Sequence, residues 1–120
     1  MNATNSHILV IDDNEDILFM IEAMLNISGY KVSTRENVDN IETVVKELAP
    51  NLILMDMLLS GADGREVCAQ LKANATLSHI PIIMLSAHPH AKAECLAAGA
   101  DYFLSKPFDM DDLLKMVALH

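Results

Sequence analysis

One feature constrains this chain more than any other: short apolar runs take turns with longer stretches of helical periodicity. His7 to Ile11 is a continuous apolar run that stops at Asp12-Asp13. A run of that length, apolar at successive positions, suits a strand buried on both faces. From Asn14 to Ser28, the positions Ile17, Met20, Ile21, Met24, Leu25 and Ser28 recur every three or four residues. They predict an amphipathic helix with that buried stripe, closed by Gly29. Tyr30 to Thr34 alternates and reads as a second strand. Val38, Ile41, Val44, Val45 and Leu48 make a second helical stripe, stopped at Pro50.

The pattern then repeats. Leu52 to Met55 is a third strand ended by Asp56, followed by a loop with Ser60, Gly61 and Gly64 as breakers. Val67, Cys68 and Leu71 mark a third helix. Ile80 to Leu85 is a fourth strand, with Pro81 near its start. Pro89 suits the first turn of a fourth helix and Gly99 its end. Ala100 to Leu104 is a fifth strand. Asp109, Asp111 and Asp112 open a last helix carrying Leu113, Leu114, Val117 and Leu119.

Strands and helices alternating at these lengths require right-handed crossovers and a parallel sheet covered on both faces. The expected fold is a doubly wound α/β domain of five βα units, residues 1–120, in the flavodoxin-like strand order 2-1-3-4-5. Apolar residues are 52% of the chain, enough to exclude disorder. The formal charge of −9 and the lack of any basic run argue against direct nucleic-acid binding. Cys68 and Cys95 form no C-x-x-C pair and read as buried thiols in a reducing compartment. With no signal peptide and no membrane-length apolar run, the expected location is the cytoplasm.

Ligands of open parallel sheets bind beyond the carboxyl ends of the strands. Strand one ends at Asp12 and Asp13, strand three at Asp56 and strand four at Ser86; Lys106 follows strand five. Taken singly, each has an ordinary explanation: Asp13 as a helix cap, Ser86 as a turn residue, Lys106 as a solvated charge. Together they make one complementary set. Three neighbouring carboxylates repel unless a cation joins them, and Mg²⁺ or Mn²⁺ takes oxygen ligands. Such an ion, with Lys106 and a serine hydroxyl, suits an incoming phosphoryl group. A flavin-nucleotide binder would need a Ser/Thr/Gly-rich phosphate loop where D-D-N-E-D stands. An aspartyl phosphohydrolase would carry its nucleophile after strand one.

The chain resembles, from end to end, the receiver domain of bacterial two-component response regulators, of the chemotaxis-regulator type. The carrying motifs are I-D-D-N-E (Ile11 to Glu15), L-M-D-M-L-L-S-G-A-D-G (Leu54 to Gly64), M-L-S-A (Met84 to Ala87) and G-A-D-Y-F-L-S-K-P-F (Gly99 to Phe108). The resemblance implies a signalling domain rather than an enzyme. Asp56 would accept a phosphoryl group from a histidine kinase or histidine phosphotransfer protein. Asp13, Asp56 and the backbone carbonyl of Leu58 would ligate Mg²⁺, with Asp12 acting mainly through water. Lys106 would pair with Asp56, Ser86 would be the switch hydroxyl and Phe103 the aromatic switch. Lys106–Pro107 would be a cis peptide.

The resemblance further implies a downstream effector protein or domain. It also implies a phosphorylation-dependent homodimer through helix four, strand five and helix five. Helix four, with Ala91, Ala93, Ala97 and Ala98, is thin enough to shift. Two departures stand out. Ser60 replaces a common Pro, implying a more flexible loop, and Phe103 replaces the commoner Tyr. Phe19, opposite the apolar stripe of the first helix, is a candidate donor-docking residue. His88, two residues past Ser86, is read first as a loop residue and second as an influence on hydrolysis of the acyl phosphate. Met1-Asn2 favours a stand-alone or N-terminal receiver over one cut from elsewhere in a longer protein.

Overall fold

The computed structural model describes residues 6–88 and 90–119. Five parallel strands form the main sheet: β1 (His7–Ile11), β2 (Lys31–Arg35), β3 (Leu52–Asp56), β6 (Ile82–Ser86) and β7 (Tyr102–Ser105). They lie in the order β2-β1-β3-β6-β7, which is 2-1-3-4-5 for the main strands in chain order. Helices α1 (Glu15–Ile27), α2 (Ile41–Leu48), α3 (Gly64–Ala73), α4 (Lys92–Ala97) and α5 (Met110–Ala118) cover both faces. No helix is long and apolar enough to cross a membrane among the described residues.

Alternating side chains divide the core in two. Leu9, Ile11, Ile53, Met55, Ile82 and Met84 pack with Val45, Val67, Cys68, Leu71 and Cys95 under α2, α3 and α4. Ile8, Val10, Leu52, Leu54, Ile83 and Leu85 pack with Leu18, Ile21, Leu25, Leu113 and Val117 under α1 and α5. This is the period-two geometry of strands buried on both faces. Both cysteines are free and buried, and burial pushes the Cys68 thiol up to about 11. A thiol so desolvated is a poor nucleophile.

Several elements differ from the sequence reading. The buried stripe of α1 is Leu18, Ile21 and Leu25, while Met20 is exposed and Met24 half-buried. On a helix, Met20 points roughly 130° from the centre of that triad, so the stripe is rotated from the one expected. Helix α1 ends as predicted at Gly29, with φ +96°. There Gly29 N donates to Asn26 O and Tyr30 N to Leu25 O, the double closure of a Schellman motif. Tyr30 is spent on that closure, so β2 starts one residue later than expected. The same motif at Gly99, through Ala100 N and Cys95 O, delays β7 to Tyr102.

The segment after Asp56 is more than a loop. Strands β4 (Leu58–Leu59) and β5 (Ala62–Asp63) form a short antiparallel ribbon around Ser60-Gly61, with Gly61 at φ +75°. Gly64 does not break structure but opens α3, capped by Asp63. Strand β6 begins at Ile82 rather than Ile80, and α4 spans only Lys92–Ala97. Pro89, expected in the first turn of that helix, lies outside the described residues.

Candidate functional site

Register brings the polar residues together. Ile11 pairs with Met55, Met55 with Met84, and Met84 with Phe103, so one row runs straight across four strands. One step further along lie Asp12 and Asp56. Ser86 and Lys106 follow at the ends of their own strands. Four chain segments separated by tens of residues therefore deliver side chains to one edge.

Asp12 is fully buried. Its Oδ1 accepts from Asn14 N at 2.9 Å and its Oδ2 from Lys106 Nζ at 3.1 Å. Lys106 Nζ also stands 3.4 Å from Asp56 Oδ2. Asp56 is largely covered, and burial raises its pKa above the ordinary carboxylate value. Lys106 opposes that shift, Asp12 adds to it, and the Leu58 backbone amide opposes it. Asp13 is exposed, yet its Oδ2 accepts from both Ser60 N (2.9 Å) and Ser60 Oγ (2.7 Å). The Ser60 hydroxyl foremost holds the Asp13 pKa below its ordinary value. Asp13 is not the cap of α1; Asn14 is, accepting from Asp16 N and Ile17 N.

One carboxylate oxygen from each of Asp12, Asp13 and Asp56 lies within 4.8 Å of the other two. Lys106 brings one positive charge against these three carboxylates. The remaining negative charge on hard oxygen donors fits a divalent cation of the Mg²⁺ or Mn²⁺ type. Two groups were missed in the sequence: Ser60, which holds Asp13, and Gly64. A Cβ on Gly64 would sit 2.4 Å from the carbonyl oxygen of Asp56. The Ser-Gly dipeptide was the available turn signal for the ribbon. The close approach of Gly64 to Asp56 left no local trace.

Ser86 is buried, and its Oγ accepts from His88 N at 3.0 Å. Lys106 N donates to Ser86 O at 2.8 Å, extending the β6–β7 ladder by one residue. Lys106–Pro107 is cis. Phe103 is half-buried against the α2–α4 side of the core, one row short of the carboxylates. Leu58 is exposed at the start of the ribbon. His88 lines a cavity of about 330 Å³ with Leu58, Arg65, His90 and Glu94. Arg65 bridges Asp63 and Glu94, tying the ribbon to α4.

The response regulator receiver domain family matches residues 8–118. The chain belongs to that family. The phosphate regulon transcriptional regulatory protein PhoB of Pseudomonas aeruginosa is 37% identical over 109 residues, covering 89% of this chain and 48% of that regulator. The chain thus spans about half the length of such curated relatives. The chemotaxis response regulator CheY4 of Vibrio cholerae superposes with a TM-score of 0.88 at 26% identity, covering 97% of this chain and 98% of that one. The receiver domain of the Pseudomonas aeruginosa sensor histidine kinase PA1611 was solved with a magnesium ion coordinated in its active-site cleft. It superposes with a TM-score of 0.86 at 29% identity, with 95% of each chain covered. This receiver domain is thus a signalling module of two-component systems.

Proposed function

We propose that Asp56 is the phosphoacceptor of this receiver domain. The observation that carries the reading is the placement of Asp56. It is a largely covered carboxylate at the end of β3, 3.4 Å from Lys106 Nζ and grouped with Asp12 and Asp13. A carboxylate oxygen of Asp56 attacks the phosphorus of a phosphohistidine on a kinase or phosphotransfer protein. The P–N bond breaks, the imidazole nitrogen takes up a proton, and an acyl phosphate forms on Asp56.

Asp13, Asp56 and the Leu58 carbonyl would hold Mg²⁺ or Mn²⁺, with Asp12 reaching it through water. The ion supplies neutralising charge for the phosphoryl oxygens. Lys106 leaves Asp56 for a phosphoryl oxygen and keeps its contact with Asp12. The Ser86 hydroxyl donates to another phosphoryl oxygen, and Phe103 follows by burying further. His88 and Leu58 line the same cavity; His88 is read first as a loop residue and second, with Leu58, as an influence on attack of water on the acyl phosphate. The domain only catalyses its own phosphorylation and dephosphorylation.

The donor docks over α1. Phe19 is 74% exposed and Met20 44%. Met20 also lines, with Ile17, Ala87, Lys106, Pro107 and Phe108, an apolar cavity of about 360 Å³. An apolar groove touching Lys106 suits a helix that must bring a phosphohistidine to Asp56. The output goes to a downstream effector protein or domain, with α4, β7 and α5 as the dimerisation face, in the cytoplasm.

Incubation with a small phosphodonor and Mg²⁺, followed by intact-mass measurement, tests the proposal. Wild type should gain one phosphoryl group and Asp56→Asn none. A gain that survives Asp56→Asn overturns it.

A further inference from the structure

Ser60 sits at the turn of the ribbon, far in sequence from Asp13, and gives it two hydrogen bonds. The backbone amide and the hydroxyl converge on the same oxygen, Oδ2, at 2.9 and 2.7 Å. An exposed aspartate otherwise samples several rotamers, and ordering it at the moment of binding costs affinity. Here one donor is fixed by the backbone of a two-residue turn, with Gly61 at φ +75° closing it. The other donor hangs from the same residue. Together they pin the position of Oδ2 and narrow the rotamers open to the Asp13 carboxylate. Among the described residues, no other hydrogen bond of the Ser60 hydroxyl accompanies this one.

We propose that Ser60 is a positioning residue for the divalent cation, holding Asp13 in its ligating orientation before the ion arrives. The inference rests on the reading of Asp13 as a ligand. It also changes the meaning of a serine at this turn. The ribbon is tied to the acidic cluster through its side chain rather than left loose. Groups that orient metal ligands typically govern affinity roughly 10–100-fold. Ser60 is exposed and its amide remains in any variant but proline, so a smaller effect, roughly fivefold, is expected on losing the hydroxyl.

Mn²⁺ serves as the probe, with free ion counted by its electron paramagnetic resonance signal. The titration compares wild type, Ser60→Ala and Ser60→Thr in the full chain, with melting in chelator measured in parallel. Ser60→Ala should bind Mn²⁺ roughly fivefold more weakly, Ser60→Thr within about twofold of wild type, and all three should melt alike without metal. Binding by Ser60→Ala as tight as wild type or tighter overturns the inference. So does a Thr variant as weak as Ala, or a lowered melting midpoint with unchanged affinity. If wild type itself fails to bind Mn²⁺, the metal-site reading falls and the inference with it. If wild type binds and Ser60→Ala matches it, the inference alone falls.

Discussion

At the scale of single residues, the site turns on the largely covered charge of Asp56, which shares Lys106 with the fully buried Asp12. Burial raises the pKa of Asp56 in the folded protein above its unfolded value. The stability linked to this group is therefore fully present below the unfolded value, near pH 3.9, and is lost as pH rises through the folded value. Metal-free protein carries that loss at neutrality. Asp56→Asn cannot ionise, so in chelator at pH 7 it should be more stable than wild type, by on the order of 1 kcal/mol. The gain should shrink toward pH 4. Urea unfolding at the two pH values measures it, and an equal gain at both would contradict the account. The same excess charge, unrepaid by Lys106, is what favours a divalent cation in the folded state.

At the scale of elements, two backbone positions show where function and folding compete. Gly64 N donates to Met57 O, and a methyl group on Gly64 would run into the Asp56 carbonyl. Gly64→Ala must push α3 away from the end of β3. The expected cost is about 1–3 kcal/mol, the range for overpacking a tight contact. Phosphoryl uptake from a small donor should slow in the same variant while it remains folded, because Asp56 shifts with its carbonyl. A chemical melt and a single-turnover mass assay read the two effects separately. Ala49 presents the opposite case. It ends α2 at φ +45°, a left-handed conformation that an L side chain adopts at a cost. Ala49→Gly should therefore stabilise the protein by up to about 1 kcal/mol, net of the entropy glycine loses on folding. A lower melting midpoint for this variant would show that the strain is absent.

At the scale of the whole molecule, the acidic pocket and the exposed end of α1 form one continuous face. Phe19 is exposed on α1, the helix whose Ile17 and Met20 line the groove that reaches Lys106, and it belongs to neither core cluster. Phe19→Ala should slow phosphotransfer from a cognate phosphohistidine donor about tenfold, the effect of a lost aromatic anchor. It should leave phosphorylation by a small donor unchanged. Rapid-quench transfer rates measure the first and intact mass the second. Equal rates from the protein donor would remove Phe19 from the docking surface.

What was legible in the sequence follows from what is local. Runs such as His7–Ile11 and Leu52–Met55 have the period of buried strands, and each ends at a polar residue, so the strand-end set of Asp12, Asp13, Asp56, Ser86 and Lys106 could be read directly. The handedness of the crossovers implied a parallel, doubly wound sheet, and the order 2-1-3-4-5 was expected as the flavodoxin-like arrangement of five βα units. Tertiary structure decided the rest, because it depends on how separate segments dock to within an ångström. That docking rotated α1 toward Leu18 and away from Met20. It placed Lys106 at 3.1 Å from Asp12, ninety-four residues away, and slightly farther from Asp56. It turned an apparent loop into a ribbon whose Ser60 holds Asp13. Periodicity reports which face a residue takes on its own element, whereas partners across a sheet edge are chosen only when the register is set.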